Sequence, residues 1–416
     1  MEEVKLKTQP TMIKDKNIRT IDLSLIFPTI AKDEDVSNYE IMVSLLNTCS
    51  HAYPNEKDFS VEVSKRLILY YHASLRYIGE NLYIRFDMSI PESKITPEYS
   101  IEDALKFFKE TIYCPYANDD SFNENAFERE REYILARIND SKAHSIYYQS
   151  FTKFTKLVDP NEEIFLSVDS NLKYAENASA KRSYELYKEV ILENDPLIYL
   201  FGNYEDSEIK PLLAKYFPAK KDFITIPLKY EKIFHPLKHD YIEETSKFNQ
   251  TALFMLYDVS NYNSNEKEYL SLIGNILGQS ENDLIFKQLR LYNNLVYSSD
   301  VTKYTYNGLI LVETHLNYTS VNQAMELIKE TFSSLKDKKF LQECINRLLK
   351  GLEVDMLRKE DSKYGKLVIK IDDDLKFRTI EYIYDCYKKM NIDDILSFIE
   401  RIELNTIYVL RGENND

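Results

Sequence analysis

Arg290 and Tyr297 stand seven residues apart in LGQSENDLIFKQLRLYNNLVYSS (Leu277–Ser299), one on a helix end and one on the following strand. A helix-like run ends in a turn containing Gly278. A second helix follows with Phe286, Leu289 and Arg290, and a strand-like run then brings up Tyr297. Arginine offers a fixed fork of donors and tyrosine a rigid hydroxyl. The same residues also suit plainer roles, a cation favourable to a helix C-terminus and an aromatic in a core. His235 and His239 have the i, i+4 spacing of a metal pair, but prolines surround them and no glutamate lies between. Glu130 and Glu132 form a carboxylate pair on a charged helix, beside Arg129 and Arg131, which reads as a solvated face. Asp372–Asp374 reads as a loop or a helix cap. His51, His72, His144 and His315 have no sequence partner. No nucleophile elbow, phosphate-binding loop or dinucleotide fingerprint is present, and the chain has only eight glycines with which to build one.

The bulk composition narrows the field. The 416 residues suffice for two or more domains, and the 44% hydrophobic content suffices for a core in each. The net charge of −15 argues against nucleic acid, whose phosphates require a basic face. No apolar run approaches the roughly 20 residues that span a bilayer. MEEVKLKTQP has no apolar h-region, so a cytoplasmic location is expected and no membrane partner. The four cysteines, Cys49, Cys114, Cys344 and Cys386, are widely spaced and read as reduced core thiols.

The elements that must position these residues come in two similar sets. NYEIMVSLLNTCSHAYP (Asn38–Pro54) matches NEKEYLSLIGNILGQSE (Asn265–Glu281) in character. A helix VEVSKRLILYYHASLR and a strand NLYIRFDMSI match LIFKQLRLYNNLVYSSDV and GLILVETHL. Long helices follow in both halves, AFEREREYILARIND and KFLQECINRLLKGLEVDML. The halves close on DPLIYLFGN and NTIYVLRGE, whose glycines, Gly202 and Gly412, lie 210 residues apart. Strands are read from alternation, as in Leu82, Ile84 and Phe86 against Tyr83, Arg85 and Asp87. Helices are read from the 3.6-residue period, as in Leu105, Phe108 and Ile112. The expected fold is α+β, with two homologous domains, each a mostly antiparallel sheet covered by long helices. The expected boundaries are 1–217 and 246–416, with 218–245, carrying Pro218, Pro227 and Pro236, as linker.

This order of segments resembles the pitrilysin/insulinase-type zinc metallopeptidases, in the short two-domain branch that includes the mitochondrial processing peptidase. AFEREREYILARI resembles that family's helix with paired acidic residues. Gly278–Ser298 resembles its second-domain run of Gly-rich turn, Leu-Phe, Leu-Arg and Gly-Leu-Ala-Tyr. Here Asn294 replaces a glycine and Gln279-Ser280 shortens the turn. RYIGENLYIRFDMSIPES and NTIYVLRGE are most similar to bacterial members without catalysis, which pair with an active paralogue.

The resemblance implies a clamshell fold whose zinc is held by His-x-x-Glu-His and a distal glutamate, with the central glutamate as base on the metal-bound water. Counted back from Tyr53-Pro54, those positions are Glu40, Val43 and Ser44, with no histidine ligand and no base. Arg290 and Tyr297 match residues that hold the substrate backbone and help stabilise the oxyanion. The expectation is therefore a chain that is no enzyme alone and binds no cofactor itself. It would be the substrate-binding subunit of a heterodimeric zinc endopeptidase that processes peptides or small precursors. Its expected partners are a peptide and an active paralogue of similar size that carries His-x-x-Glu-His and the zinc. Two alternatives stand beside this: a peptide-binding scaffold with no peptidase partner, and an enzyme with a relocated metal at Glu130, Glu132 or His51.

Overall fold

The structure, a computed structural model, describes residues 2–78, 81–92, 99–166, 168–228, 233–278, 283–361, 363–376 and 379–413. The chain forms two compact units. One comprises Met1–Asn139, Ser170–Tyr230 and Lys366–Ile371; the other comprises Asp140–Asp169, Glu231–Gly365 and Asp372–Asp416.

The first unit carries β1 (Glu2–Lys7), β2 (Thr11–Lys14), β3 (Thr20–Ile30), β4 (Tyr70–Ile78), β5 (Asn81–Pro91), β6 (Leu197–Gly202) and β7 (Phe223–Leu228). Five of these form a sheet in the order β2-β6-β3-β5-β4, antiparallel except for β2 with β6. Alternation along the strands decides which face is covered. Leu23, Leu25 and Phe27 of β3 and Ile84, Phe86 and Met88 of β5 are buried in one cluster with the helices. The helices are α1 (Val36–Thr48), α2 (Glu56–Lys65), α3 (Ile101–Tyr113) and α4 (Glu124–His144). Leu105, Phe108 and Ile112 of α3 are buried there, as their period predicts. Each fully buried side chain of this size contributes about 1.5–3 kcal/mol.

The second unit carries β8 (His239–Thr245), β9 (Thr251–Val259), β10 (Val296–Tyr304), β11 (Leu309–Leu316) and β12 (Ile402–Arg411), with strand order β10-β11-β9-β12-β8. This sheet is antiparallel except for β12 with β8. The order matches that of the first sheet strand for strand, so the duplication legible in the sequence is a duplication of topology. Gly202 and Gly412 close equivalent strands. A Cβ on Gly202, at φ 147°, would run into the Thr20 carbonyl, and one on Gly412 into the carbonyls of Phe248 and Gln250.

Three expectations differ from the structure. The helix read over VEVSKRLILYYHASLR ends at Lys65, and its second half is β4. Leu67 adopts φ 52°, which breaks the helix, and Tyr71, Ala73 and Leu75 then alternate onto the core cluster. The residues expected as a linker carry β7, antiparallel to β1, and β8, parallel to β12. Asp372–Asp374 lies inside the helix Lys363–Lys376, where Asp373 pairs with Lys359 at 2.9 Å. The helix α5 (Ile146–Val158) belongs to the second unit. Its Phe154 and Val158 are buried with Phe254, Leu311 and Tyr408 on the sheet.

Candidate functional site

Helices α1 and α4 bring together the acidic helix and the residues that the resemblance assigns to the metal-ligand positions. Glu40, Ser44 and Thr48 recur every four residues, so they share one face of α1. On α4, Glu130 and Arg137 are seven residues apart and also share a face. The Ser44 hydroxyl donates to Oε2 of Glu130 at 2.6 Å, and the Thr48 hydroxyl to Oε1 at 3.4 Å. Arg129 Nε and Nη2 donate to the same Oε1 at 3.1 and 3.0 Å. Glu130 is only 7% exposed, and these donors satisfy its buried carboxylate. Two turns further on, Arg137 Nη2 lies 3.7 Å from Oε2 of Glu40. Burial pushes the Glu40 carboxyl up, and the Arg137 charge opposes that shift. Val43 is buried in the core cluster.

These residues do not fit a zinc ion. The two ligand positions offer a hydroxyl, whose proton is donated to Glu130, and a carboxylate facing a guanidinium. The position of the base is an aliphatic core side chain. Among the described residues, no group of three or more His, Cys, Asp or Glu side chains could hold a metal ion. Glu132 is exposed on α4, and His51 is exposed in the turn after α1. His235 is exposed, whereas His239 begins β8 with its Nε2 3.1 Å from the Leu157 carbonyl oxygen. Sequence reading placed Glu130 on a solvated face, whereas the α1 contacts bury it, and it did not single out Arg137. The Glu130–Arg137 spacing of two helical turns was the available signal.

In the second unit, a short helix Leu284–Phe286, capped by Asp283, runs into a π-helical turn Lys287–Tyr292 that carries Arg290. Asp283 accepts from the Phe286 N–H at 2.8 Å. Leu289 anchors the turn in the core, and the Leu295 N–H closes it onto the Leu289 carbonyl at 2.8 Å. Asn294 adopts φ 52°, a region that asparagine tolerates better than most residues. Its side chain also orients the arginine, since Arg290 Nη1 donates to Asn294 Oδ1 at 2.9 Å and to the Val296 carbonyl at 3.1 Å. The guanidinium is thus held at the start of β10. Tyr297 is on β10 at a register shift between Val296 and Ser298. Its side chain, like Gln279-Ser280, lies outside the described residues.

One group of side chains on this unit was not singled out from sequence. Asp300 on β10 is opposite Glu313 on β11, and His315 follows two residues later. Burial and the Asp300 charge push Glu313 up to about 7. Burial pushes His315 down, with Asp300 opposing. Tyr147 of α5 is pushed up to about 12, first by burial and then by Glu313. The three polar positions are separated along the chain, and only the β10–β11 pairing unites them.

Comparison with known proteins fits this geometry. A family model described as the peptidase M16 inactive domain matches residues 177–395, more than half of the chain. A relative from Bacillus subtilis (strain 168), described as "Probable inactive metalloprotease YmfF", is 20% identical over 418 residues, covering 96% of this chain and 95% of that protein. Among solved structures, a conserved protein from Enterococcus faecalis V583 superposes with a TM-score of 0.74 at 19% identity, over 100% of both chains. A protease from Helicobacter pylori superposes with a TM-score of 0.69 at 12% identity, over 99% of this chain and 100% of the other. With two duplicated α+β units already in view, the family match closes the question of kinship: this chain belongs to the M16, or pitrilysin/insulinase-type, peptidase family, as a homologue of its inactive members.

Proposed function

We propose that this chain is the non-catalytic, substrate-binding subunit of a heterodimeric zinc endopeptidase. Its partner is an active paralogue of similar size that carries His-x-x-Glu-His and the zinc, and its substrate is a peptide or small precursor polypeptide. One observation carries the reading. The chain keeps the duplicated fold and an Arg290 turn, yet at the positions the resemblance assigns to the metal site Glu40 faces Arg137, Ser44 donates to Glu130 and Val43 is in the core. In this reading Arg290 and Tyr297 act in trans, holding the backbone of a peptide that the partner's zinc cleaves. Arginine at this place suits that role because its guanidinium is pre-oriented by Asn294 and the Val296 carbonyl, which lowers the entropy lost on binding. The chain itself would bind no cofactor and would work in the cytoplasm.

The test mixes the purified chain with the paralogue and follows cleavage of an unfolded peptide. Activity is expected from the mixture and from neither chain alone. Arg290→Ala and Tyr297→Phe should lower the activity of the mixture while leaving co-elution of the two chains intact. A paralogue that is fully active alone and does not co-elute with this chain would sink the reading. Peptide binding without any such partner would instead make the chain a scaffold.

A further inference from the structure

We infer that the crossing of α1 and α4 is a metal-free clasp, in which the guanidinium of Arg137 supplies the positive charge beside Glu40 and thereby excludes a divalent cation from this place. This rests on the two helices alone and is independent of the partner reading. Each face is built for the other. Ser44 and Thr48 donate to Glu130 across the crossing, at 2.6 and 3.4 Å. Arg129 covers the same carboxylate from its own helix. Arg137 stands 3.7 Å from Glu40.

A zinc centre requires several lone-pair donors converging on one point and no resident cation there. The present network has no imidazole at 40 or 44, which is a matter of ligand type. It also places a fixed positive charge beside position 40, which is a matter of electrostatics. The two obstacles are separable. Restoring imidazoles by Glu40→His and Ser44→His removes only the first, because Arg137 cannot be deprotonated to make room for a divalent ion. Removing the Arg137 charge is a second, independent requirement. Glu130, whose Oε1 stays held by Arg129 and Thr48, is not counted among the donors.

The experiment uses the full chain and zinc alone. Zinc affinity is read by competition with a chromophoric chelator, and thermal unfolding is followed with and without zinc. Four proteins are compared: wild type, Glu40→His/Ser44→His, that pair with Arg137→Gln, and that pair with Arg129→Gln as a charge-matched control. The Arg137→Gln triple variant should bind zinc about 100-fold more tightly than the double variant and should unfold at a higher temperature when zinc is added. The Arg129→Gln triple variant should match the double variant. Equal zinc affinity in the double and Arg137→Gln variants would overturn the inference, as would an equal gain from Arg129→Gln, or no binding by a folded Arg137→Gln variant.

A second measurement needs no metal. In a double-mutant cycle of Glu40→Gln and Arg137→Gln in the wild-type background, each single substitution should lower the unfolding temperature by about 1–3 °C, and the double by less than their sum. Strict additivity would show that the two side chains do not act as a pair, and the clasp would be rejected.

Discussion

The two sheets have the same strand order but treat a carboxylate on corresponding strands differently. On β5, Asp87 is opposite Ser24 of β3 and His72 of β4. It accepts a hydrogen bond from Ser24 and pairs with Arg85, two residues back on the same face, at 2.8 Å. On β11, Glu313 is opposite Phe254 of β9 and Asp300 of β10. The residue two back on its face is Leu311. One carboxylate is thus answered by a hydroxyl and a guanidinium; the other faces an aromatic ring, an aliphatic side chain and a like charge. The difference shows that topology and polarity vary independently in a duplicated fold. The strand order needs only the helix-side apolar residues, which both sheets keep, and leaves the opposite face free to diverge.

Substitutions at these places test how deep the divergence runs. Arg85→Ala should have the largest effect, destabilising the first unit by about 2 kcal/mol, because it leaves Asp87 with the Ser24 hydroxyl alone. Denaturant unfolding monitored by circular dichroism reads this, and a loss below about 0.5 kcal/mol would show that the pair is merely a surface contact.

The pH dependence of the second unit comes next. Glu313 has a folded-state pKa of about 7, above its unfolded value of about 4.3. Below about pH 4 both states are protonated. As pH rises from there to 7, the unfolded state ionises first, so stability falls across that window. Burial is partial, so the loss should be on the order of 1–2 kcal/mol. Glu313→Gln should flatten this slope between pH 5 and 7 in thermal melts; an unchanged slope would place the titration elsewhere.

The pseudo-equivalent turns before β4 and β10 offer a smaller contrast. Both contain a residue with φ 52°, Leu67 in one and Asn294 in the other. Leu67→Gly should stabilise the chain by roughly 0.5–1 kcal/mol, since leucine is sterically strained there. Asn294→Ala should destabilise by about 1 kcal/mol, through the lost hydrogen bond from Arg290 as well as the backbone. Asp300→Asn should show the least, a few tenths of a kcal/mol, and should shift the pH slope of Glu313 toward lower pH by removing the like charge.

Much of this architecture is legible in the residues. Helix-side positions such as Leu105, Phe108 and Ile112, or Ile84 and Phe86, declare their elements because burial repeats at the period of the backbone. The segment around Arg66–Tyr71 does not, because its apolar residues satisfy both periods and only the left-handed turn at Leu67 settles the matter. The contact between Glu40 and Arg137 could not be read from the sequence. Arg137 meets Glu40 only through a helix crossing, 97 positions apart in the chain. The Asp300, Glu313 and His315 group depends in the same way on strand register, which local pattern does not specify.

The placement of α5 has a consequence for how the chain is made. The second unit takes residues 140–169 from early in the sequence and finishes with β12, which ends at Arg411. Phe154, Val158 and Phe165 therefore leave the ribosome long before β9, β11 and β12 exist to bury them. Until synthesis is nearly complete, these three apolar side chains lack their native cover, an interval in which nascent chains are prone to aggregation. Cutting the chain into its two sequence halves would make that interval permanent.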